Sequence, residues 1–313
     1  MPVSVVWYEG SLDADNRSKY ATNTLLNNAM DRCEVGFVHR NGPQQLPSGE
    51  RGCVCVLHGE HLAGRVDEIR AWGSGLDWIL YVIMGDEPRI FNSRPFLGPR
   101  RKIWRQYPIP GKHDHEDRYL TAGYPADCPA FLEHLQKEMT EKKLNWSFMG
   151  QTNVGTRKRC VTQLKMLLHG YLYESPGFWL GLPRDEYYRR LAESKVVACP
   201  GGGAFPESLR MGEALEAGCI PIVEDCSFKI TTPVPLPGGH QQKPFSTYWG
   251  YVLGEEPPFP TLVHWSDFPR LLDEALRGWP ANRDRLQSWW KGYKAKMARW
   301  FEEDLRAVNN PHA

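Results

Sequence analysis

The sequence has no long apolar run and almost no net charge. No segment of its 313 residues approaches the roughly 18 consecutive apolar residues of a membrane-spanning helix. The first ten residues, MPVSVVWYEG, lead directly into a predicted strand, so we expect neither a signal peptide nor a membrane anchor. The 38 basic and 37 acidic residues nearly cancel, which gives no indication of a partner with strong charge of one sign. These features predict a cytoplasmic protein.

The eight cysteines lack the regular spacing of a disulfide framework. Four of them lie in or beside apolar runs, which is typical of reduced, buried thiols: Cys53, Cys55, Cys199 and Cys219. Internal repeats and low-complexity tracts are absent from the sequence as well. Hydrophobic residues make up 41% of the chain, which is enough for sizeable cores, and the length indicates about two domains.

Predicted strands and helices alternate along the chain, which indicates an α/β protein with parallel sheets. We expect two Rossmann-like domains, over residues 1–130 and 131–265, and helices over residues 266–313. Strands are predicted at residues 3–8, 35–39, 53–57, 78–84, 103–107, 146–149, 196–199 and 220–223. Residues 88–129 are rich in proline, arginine and histidine and are predicted to form loops apart from the strand at 103–107.

The most informative segment contains a strand, a glycine-rich turn, a helix and a second strand between residues 194 and 223. Three glycines, residues 201–203, follow the apolar run that ends at Cys199, and Gly218 ends the helix. Glycines let backbone N–H groups approach a ligand, and a helix N-terminus adds partial positive charge, so the turn predicts a phosphate site. The turn has neither the Gly-Lys-Ser/Thr of a Walker loop nor the spacing G-x-G-x-x-G.

This segment contains two sequence motifs that follow one another, L-x-x-S-K-V-V-A-C-P-G-G-G and E-S-L-R-x-x-E-A-L-x-A-G-C-I-P-I-V. Over about residues 146–225, the chain resembles the donor-binding half of exostosin-like glycosyltransferases of the GT-B fold. The resemblance implies two Rossmann-like domains with parallel sheets facing a cleft, and C-terminal helices that cross back onto the first domain. It also implies transfer of a sugar from a nucleotide-sugar donor, with a UDP-sugar favoured, to a hydroxyl acceptor.

The resemblance assigns donor-binding roles in the second half. Glu213 corresponds to the glutamate that accepts hydrogen bonds from ribose hydroxyls, and Arg157 or Lys158 would stabilise the leaving diphosphate. A second glutamate of the pattern is replaced by Phe205, which leaves a carboxylate contact to the sugar open. The predicted donor residues are Gly150, Arg157, Lys158, Gly202, Gly203, Glu207, Ser208, Arg210 and Glu213.

Ordinary structural roles are the alternatives for these residues. Glu207, Arg210 and Glu213 have the spacing of an i,i+3 ladder on a helix, and the basic residues that open the preceding helix could simply be solvated. We expect Glu213 to be partly exposed, so that its replacement by alanine leaves folding nearly unchanged.

An inverting transfer needs a general base to deprotonate the attacking hydroxyl, and we expect it in the first half. Ligands of open α/β sheets bind beyond the carboxyl ends of the strands, and two such ends carry ionisable side chains. The candidate catalytic residues are therefore Glu60, Asp86 and His61. Helix capping is the alternative role for each of them, and a retaining enzyme would need no such base.

No metal ion or other cofactor is expected beside the nucleotide sugar. Asp13 and Asp15 match the Asp-x-Asp of GT-A enzymes, but they follow the first strand among turn residues. The segment from His113 to Asp117 is predicted to be a solvated loop, because adjacent residues rarely chelate one ion. The helix dipole and basic side chains are expected to replace the metal ion.

The acceptor stays open between a glycan and a 5-hydroxymethylpyrimidine base in phage-type DNA. For DNA, a basic and aromatic segment offers acceptor-binding candidates: Arg100, Arg101 and Trp104. The expected setting is the cytoplasm of a bacterium or of a phage-infected host cell. A nucleotide-sugar-binding protein without turnover is the alternative function.

Overall fold

The computed structural model describes residues 2–8, 24–86, 90–109, 112–113, 116–125, 127–138, 141–177, 180–202, 206–226 and 247–309. These residues divide into two units. The first unit holds the described residues up to Thr121 and from Tyr293 onward, and the second holds those from Ala122 to Gly292. The structure divides the chain after Thr121, whereas the sequence predicted a domain boundary at residue 130.

The first unit is an α/β unit. Its strands are β1 (Val3–Trp7), β2 (Phe37–Asn41), β3 (Gly52–His58), β4 (Trp78–Met84), β5 (Arg101–Gln106) and β6 (Arg118–Leu120). Its helices in the first 121 residues are α1 (Thr24–Asp31), α2 (Gly59–Leu62) and α3 (Val66–Gly73), with short 3-10 turns at Pro43–Gln45, Ala63–Arg65 and Arg94–Phe96. The strands form one parallel sheet in the order β2-β1-β3-β4-β5-β6.

The central strands of this sheet are continuous apolar runs. Every residue of β4 is buried, and β3 is buried except for the half-buried His58 at its end. Such runs are typical of a parallel sheet that is covered on both faces. The sequence predicted the bounds of β4 correctly, whereas β6 lies in the stretch that was predicted to form loops.

The second unit repeats this architecture. Its strands are β7 (Leu144–Gln151), β8 (Gly170–Ser175), β9 (Ser194–Cys199), β10 (Ile220–Glu224) and β11 (Thr261–Leu262). Its helices are α4 (Cys128–Glu138), α5 (Arg157–Leu164), α6 (Arg184–Glu193), α7 (Leu209–Glu216), α8 (Tyr248–Leu253) and α9 (Phe268–Arg277), with a 3-10 turn at Trp265–Asp267. All strand pairs are parallel, in the order β11-β10-β9-β7-β8.

The two sheets share one topological rule. In each unit, the second strand in chain order pairs with one side of the first strand. The third strand pairs with the other side of the first, and the later strands continue outward from the third. The strand order therefore reverses between β1 and β3, and again between β7 and β9. Open α/β sheets bind ligands beyond the carboxyl ends of the strands at such a switch point. The predicted α/β class with two parallel sheets is confirmed.

The last helix, α10 (Trp279–Asn309), contributes to both units, with the division after Gly292. Within the second unit, Trp290 Nε1 donates to Glu216 Oε1 at 2.7 Å. Within the first unit, Trp104 Nε1 donates to Asp304 Oδ2 at 3.0 Å. The predicted C-terminal helices are therefore present as α9 and α10. Across the part of the chain that the structure describes, none of the helices combines the length and apolar character that crossing a bilayer requires.

Candidate active site

The carboxyl ends of β7 and β9 lie side by side in the second sheet, and side chains tie the loops that follow them. Arg157 Nε donates to the carbonyl of Gly201 at 2.9 Å, and its Nη1 donates to the carbonyl of Gln151 at 3.3 Å. Gly155 has a φ of 54°, and a Cβ atom there would lie 2.8 Å from the carbonyl oxygen of Gly202. Only glycine fits this close approach without strain. Gly203 lies outside the described residues.

Glu224, the last residue of β10, holds both loops at once. Its Oε2 accepts a hydrogen bond from the backbone N–H of Gly201 at 2.9 Å and another from the hydroxyl of Thr156. The sequence analysis did not single out Glu224. Its place at the end of the strand that follows the glycine-rich unit is the signal that could have found it, because loops after neighbouring parallel strands meet at one edge.

Arg210 brings a buried positive charge to this edge. Its side chain lies over the ring of Phe148, with 4.7 Å from Cζ to the ring centroid, and Nη2 donates to the carbonyl of Met149 at 2.9 Å. Gly150 makes room for it, since a Cβ atom there would lie 2.4 Å from Nη2. Arg210 is 9% exposed, and among the described residues its Nε and Nη1 find no hydrogen-bond partner. A buried guanidinium with unused N–H groups has the charge and the donors that suit an anion.

The start of α7 adds further donors beside Arg210. Ser208 is the N-cap residue, and its buried hydroxyl finds no hydrogen-bond partner within the described part of the chain. The backbone N–H of Gly202 donates to the carbonyl of Glu207 at 3.0 Å, which closes the loop in front of the helix. Lys158, one residue into α5, is exposed. Partial positive charge at the helix N-terminus and the Arg210 guanidinium both favour an anion at this place.

Glu207 has a different role from the predicted donor contact. It is 2% exposed, and its Oε2 accepts from the backbone N–H of Ala122 at 2.6 Å. Its Oε1 accepts a hydrogen bond from the hydroxyl of Tyr248. Both oxygens therefore hold groups of the second unit, and Glu207 anchors the glycine loop.

Glu213 is also more enclosed than the sequence predicted. It is 7% exposed, and its Oε2 accepts from the hydroxyl of Tyr187 at 2.5 Å. Burial raises the pKa of Glu213, and the hydrogen bond from Tyr187 and the charge of Arg210 oppose that shift. The expectation of a partly exposed glutamate that tolerates alanine was wrong, because this carboxylate satisfies a buried hydroxyl. The ribose contact of Glu213 stays a prediction.

In the first unit, Glu60 and His61 follow β3 directly, in the short helix α2. Both side chains are exposed. The ring of His61 stacks on that of His58, with 4.0 Å between the centroids. Because β3 borders β1 where the strand order reverses, the two residues lie at the switch point of this sheet. Their position is the one expected for side chains that act on a ligand of this unit.

Asp86 lies at the neighbouring strand end but is fully buried in an ion network. Its Oδ2 accepts from Arg105 Nη1 at 2.7 Å, and its Oδ1 accepts from the backbone N–H of Ile90 at 2.9 Å. Arg105 also donates to Glu116 Oε1 at 2.6 Å. Arg105, Asp86 and Glu116 have side chains that are 0% exposed. These contacts fix the loop after β4 and account for Asp86 as an anchor rather than as the predicted base.

His113 and Glu116 are buried, whereas the sequence predicted a solvated loop from His113 to Asp117. Asp114 lies outside the described residues. His113 is 2% exposed, and its Nδ1 accepts from the backbone N–H of Ile109 at 2.9 Å. Burial raises the pKa of Glu116, and the charge of Arg105 opposes that shift. Within the described ranges, no group of three or more His, Cys, Asp and Glu side chains could hold a metal ion. Asp13, Asp15 and His115 lie outside those ranges.

The basic and aromatic segment at residues 100–104 does not form the predicted acceptor surface. Arg100 Nε donates to the carbonyl of Val308 at 2.9 Å, and Arg101 Nη2 donates to the carbonyl of Leu76 at 2.7 Å. Trp104 is 0% exposed. The two arginines lie at the amino end of β5, whereas ligands of such sheets bind at the carboxyl ends. The structure therefore uses these residues to hold elements of the first unit together.

Glu213→Ala is expected to lower the free energy of unfolding by about 1–3 kcal/mol, because it leaves the buried hydroxyl of Tyr187 without an acceptor. Urea denaturation of the single variants and of the double variant with Tyr187→Phe measures the coupling. Glu186→Ala is the control, because Glu186 is on the same helix as Tyr187 and its side chain is partly exposed, and the expected change is within about 0.5 kcal/mol. Equal effects of Glu213→Ala and Glu186→Ala would contradict the assignment.

Comparison with known protein families adds evidence from the same stretch of chain. Residues 182–308 match the family of the RXYLT1 C-terminal domain, which belongs to the exostosin-like glycosyltransferases. The match begins just before α6, includes the glycine loop, α7 and β10, and ends within α10. A comparison with curated proteins found no match. The family match supports a glycosyltransferase.

Proposed function

We propose that the protein is a glycosyltransferase of the GT-B type that takes a UDP-sugar and transfers the sugar to a hydroxyl group of a saccharide. The observation that supports it most is the buried guanidinium of Arg210, whose Nε and Nη1 find no partner among the described residues, at the switch point of the second sheet. The family match covers this residue and the helix that carries it. A diphosphate is an anion that this arrangement would bind.

Arg210 and the start of α7 would bind the diphosphate of the donor. Arg offers a rigid pair of N–H donors, and the Ser208 hydroxyl and the helix N-terminus add to it. Arg157 contributes by holding the loops after β7 and β9 through their carbonyls, and Lys158 is the exposed cation of that helix start. Glu213, one turn further along α7, is the proposed partner of the ribose hydroxyls.

Negative charge develops on the diphosphate during transfer. The acceptor oxygen bonds to the anomeric carbon while the bond from that carbon to the diphosphate oxygen breaks. UDP leaves with the bonding electrons, and a general base takes the proton of the acceptor hydroxyl. A fixed guanidinium and a helix N-terminus stabilise the charge on UDP, which is the kind of preorganised electrostatic contribution on which enzymes depend most.

Glu60 is the proposed general base of an inverting reaction, and His61 is the second candidate. Both are exposed beyond the carboxyl end of β3, at the switch point of the first sheet. A carboxylate in this position is able to accept the proton of a bound hydroxyl. Asp86 is a weaker candidate, because Arg105 and backbone N–H groups already occupy its oxygens.

A saccharide hydroxyl is the proposed acceptor, because the residues that favoured DNA are used elsewhere. Trp104 is buried and has no face on which a base could stack. Arg100 and Arg101 donate to backbone carbonyls of the first unit.

Arg210→Met is expected to weaken UDP binding by about 1.5–3 kcal/mol, the range for hydrogen bonds to charged groups. Isothermal titration calorimetry with UDP measures this loss. The variant gives up one hydrogen bond and removes a buried cation, so its folding stability should stay within about 1 kcal/mol of the wild type. Arg189→Met, which replaces an exposed arginine of α6, is the matched control and should bind UDP normally. Unchanged UDP affinity in a folded Arg210→Met protein would remove this residue from the site.

Glu60→Gln is expected to lower kcat by roughly 100- to 10,000-fold and to leave UDP affinity unchanged, because a general base acts on the acceptor and not on the donor. The donor for the assay is chosen by native mass spectrometry with a panel of nucleotide sugars. His61→Ala is measured in parallel. Near-full transfer in both variants would exclude an acceptor base at this position, and a wild type that binds UDP but never transfers a sugar would favour a binding protein.

Transfer without a metal ion is the last part of the proposal. The helix N-terminus and the cations beside it supply positive charge where a GT-A enzyme would use a divalent ion. Addition of EDTA is therefore expected to leave the rate of sugar transfer unchanged. Loss of transfer with EDTA that manganese restores would show that a divalent ion takes part.

A further inference from the structure

We propose that the second unit has an additional binding pocket for a small phosphate- or carboxylate-bearing molecule, beside the donor site. The pocket has a volume of about 320 Å³ and lies between α5 and the segment that follows β11. Its polar lining residues include Arg159, Gln163, His264 and Ser266, and Thr156 and Trp265 line it as well. Nothing in the proposed sugar transfer uses these four polar side chains.

The charge of the lining favours an anion. Among its eight residues, Arg159 is a permanent cation, His264 is an imidazole, and none is an aspartate or glutamate. Within the described residues, the side chains of Arg159, Gln163 and Ser266 make no ion pair or hydrogen bond. A guanidinium, an amide and a hydroxyl are thus available as donors around one space. Planar N–H donors of arginine match the oxygens of phosphate and carboxylate groups.

The size of the pocket suits a small ligand. Pockets for small molecules range from roughly 300 to 1,000 Å³, so this one is at the lower end. Arg159, His264 and Ser266 are exposed, so the space is open to solvent and would hold a sugar phosphate or a small dicarboxylate by its anionic end. None of the proposed donor-binding residues lines it, so the pocket is separate from the donor site.

The wall of the pocket is connected to the glycine loop by a chain of hydrogen bonds. Trp265 Nε1 lies 3.4 Å from Thr156 Oγ1, and the Thr156 hydroxyl donates to Glu224 Oε2. The same carboxylate oxygen accepts from the backbone N–H of Gly201 at 2.9 Å. An anion in the pocket would therefore affect Glu224, which holds the glycine loop, through Trp265 and Thr156. This effect on donor affinity rests on the proposed function, whereas binding in the pocket does not.

The experiment follows the indole N–H of Trp265 by NMR in full-length protein with ¹⁵N-labelled tryptophan, after assignment with Trp265→Phe. Inorganic phosphate and malonate are titrated separately at constant ionic strength against chloride. We expect a saturable shift of the Trp265 signal with at least one of them, and the one that binds more tightly identifies the anionic group. Arg159→Gln should weaken that binding at least tenfold, and Arg285→Gln, at an exposed arginine of α10, should not change it.

A second variant separates the pocket from the donor site. In Arg210→Met, the Trp265 shift should persist with the same affinity, even if UDP binding is lost. The proposal is overturned if neither anion shifts the signal, if Arg159→Gln binds as tightly as the wild type, or if Arg210→Met abolishes the shift. The last result would place the anion at the glycine loop.

Discussion

Parallel pairing of the described strands places the loops that follow them at one edge of each sheet, and side chains hold those loops in place. In the second unit, Glu224 and Glu207 do this by accepting hydrogen bonds from backbone N–H groups. In the first unit, Asp86 accepts from the backbone N–H of Ile90 and Arg105 donates to the carbonyl of Phe91, which holds the chain at these two residues after β4. A carboxylate that is taken out of water needs hydrogen-bond donors, and the backbone N–H groups of the loops supply them.

The charged residues that do not hold loops are the ones that remain available to bind or act on a ligand. At the described carboxyl ends of the strands, most buried charged side chains form hydrogen bonds with the backbone of nearby loops. Arg210 differs because two of its N–H groups find no acceptor among the described residues. Glu60 differs because it is exposed beyond a strand end and is not part of a buried network. The functional proposal depends on this contrast between occupied and available groups.

The sequence predicted the architecture better than the roles of individual side chains. Apolar runs gave the bounds of β4 and the strands on either side of the glycine turn, because burial on both faces requires continuous apolar residues. Strand β6 was missed, since three residues among prolines and charges carry no periodic signal. Asp86 was predicted to act on a ligand, because a polar residue after a strand looks the same in sequence whether it contacts a ligand or a backbone N–H. Trp104 was predicted to bind an acceptor, because an aromatic residue among arginines looks the same whether it is exposed or buried in a strand. Only the partners in the structure distinguish the two.

The Nε and Nη1 groups of Arg210 find no acceptor among the described residues, and a buried donor without a partner lowers the stability of a fold. A ligand that supplies the missing acceptors binds the folded chain alone and shifts the unfolding equilibrium by mass action. At a concentration one hundred times its dissociation constant, such a ligand adds about 2.7 kcal/mol to the free energy of unfolding. The melting temperature of the protein therefore rises with the concentration of that ligand. If UDP is that ligand, as proposed, protein kept with UDP unfolds at a higher temperature than protein kept without it.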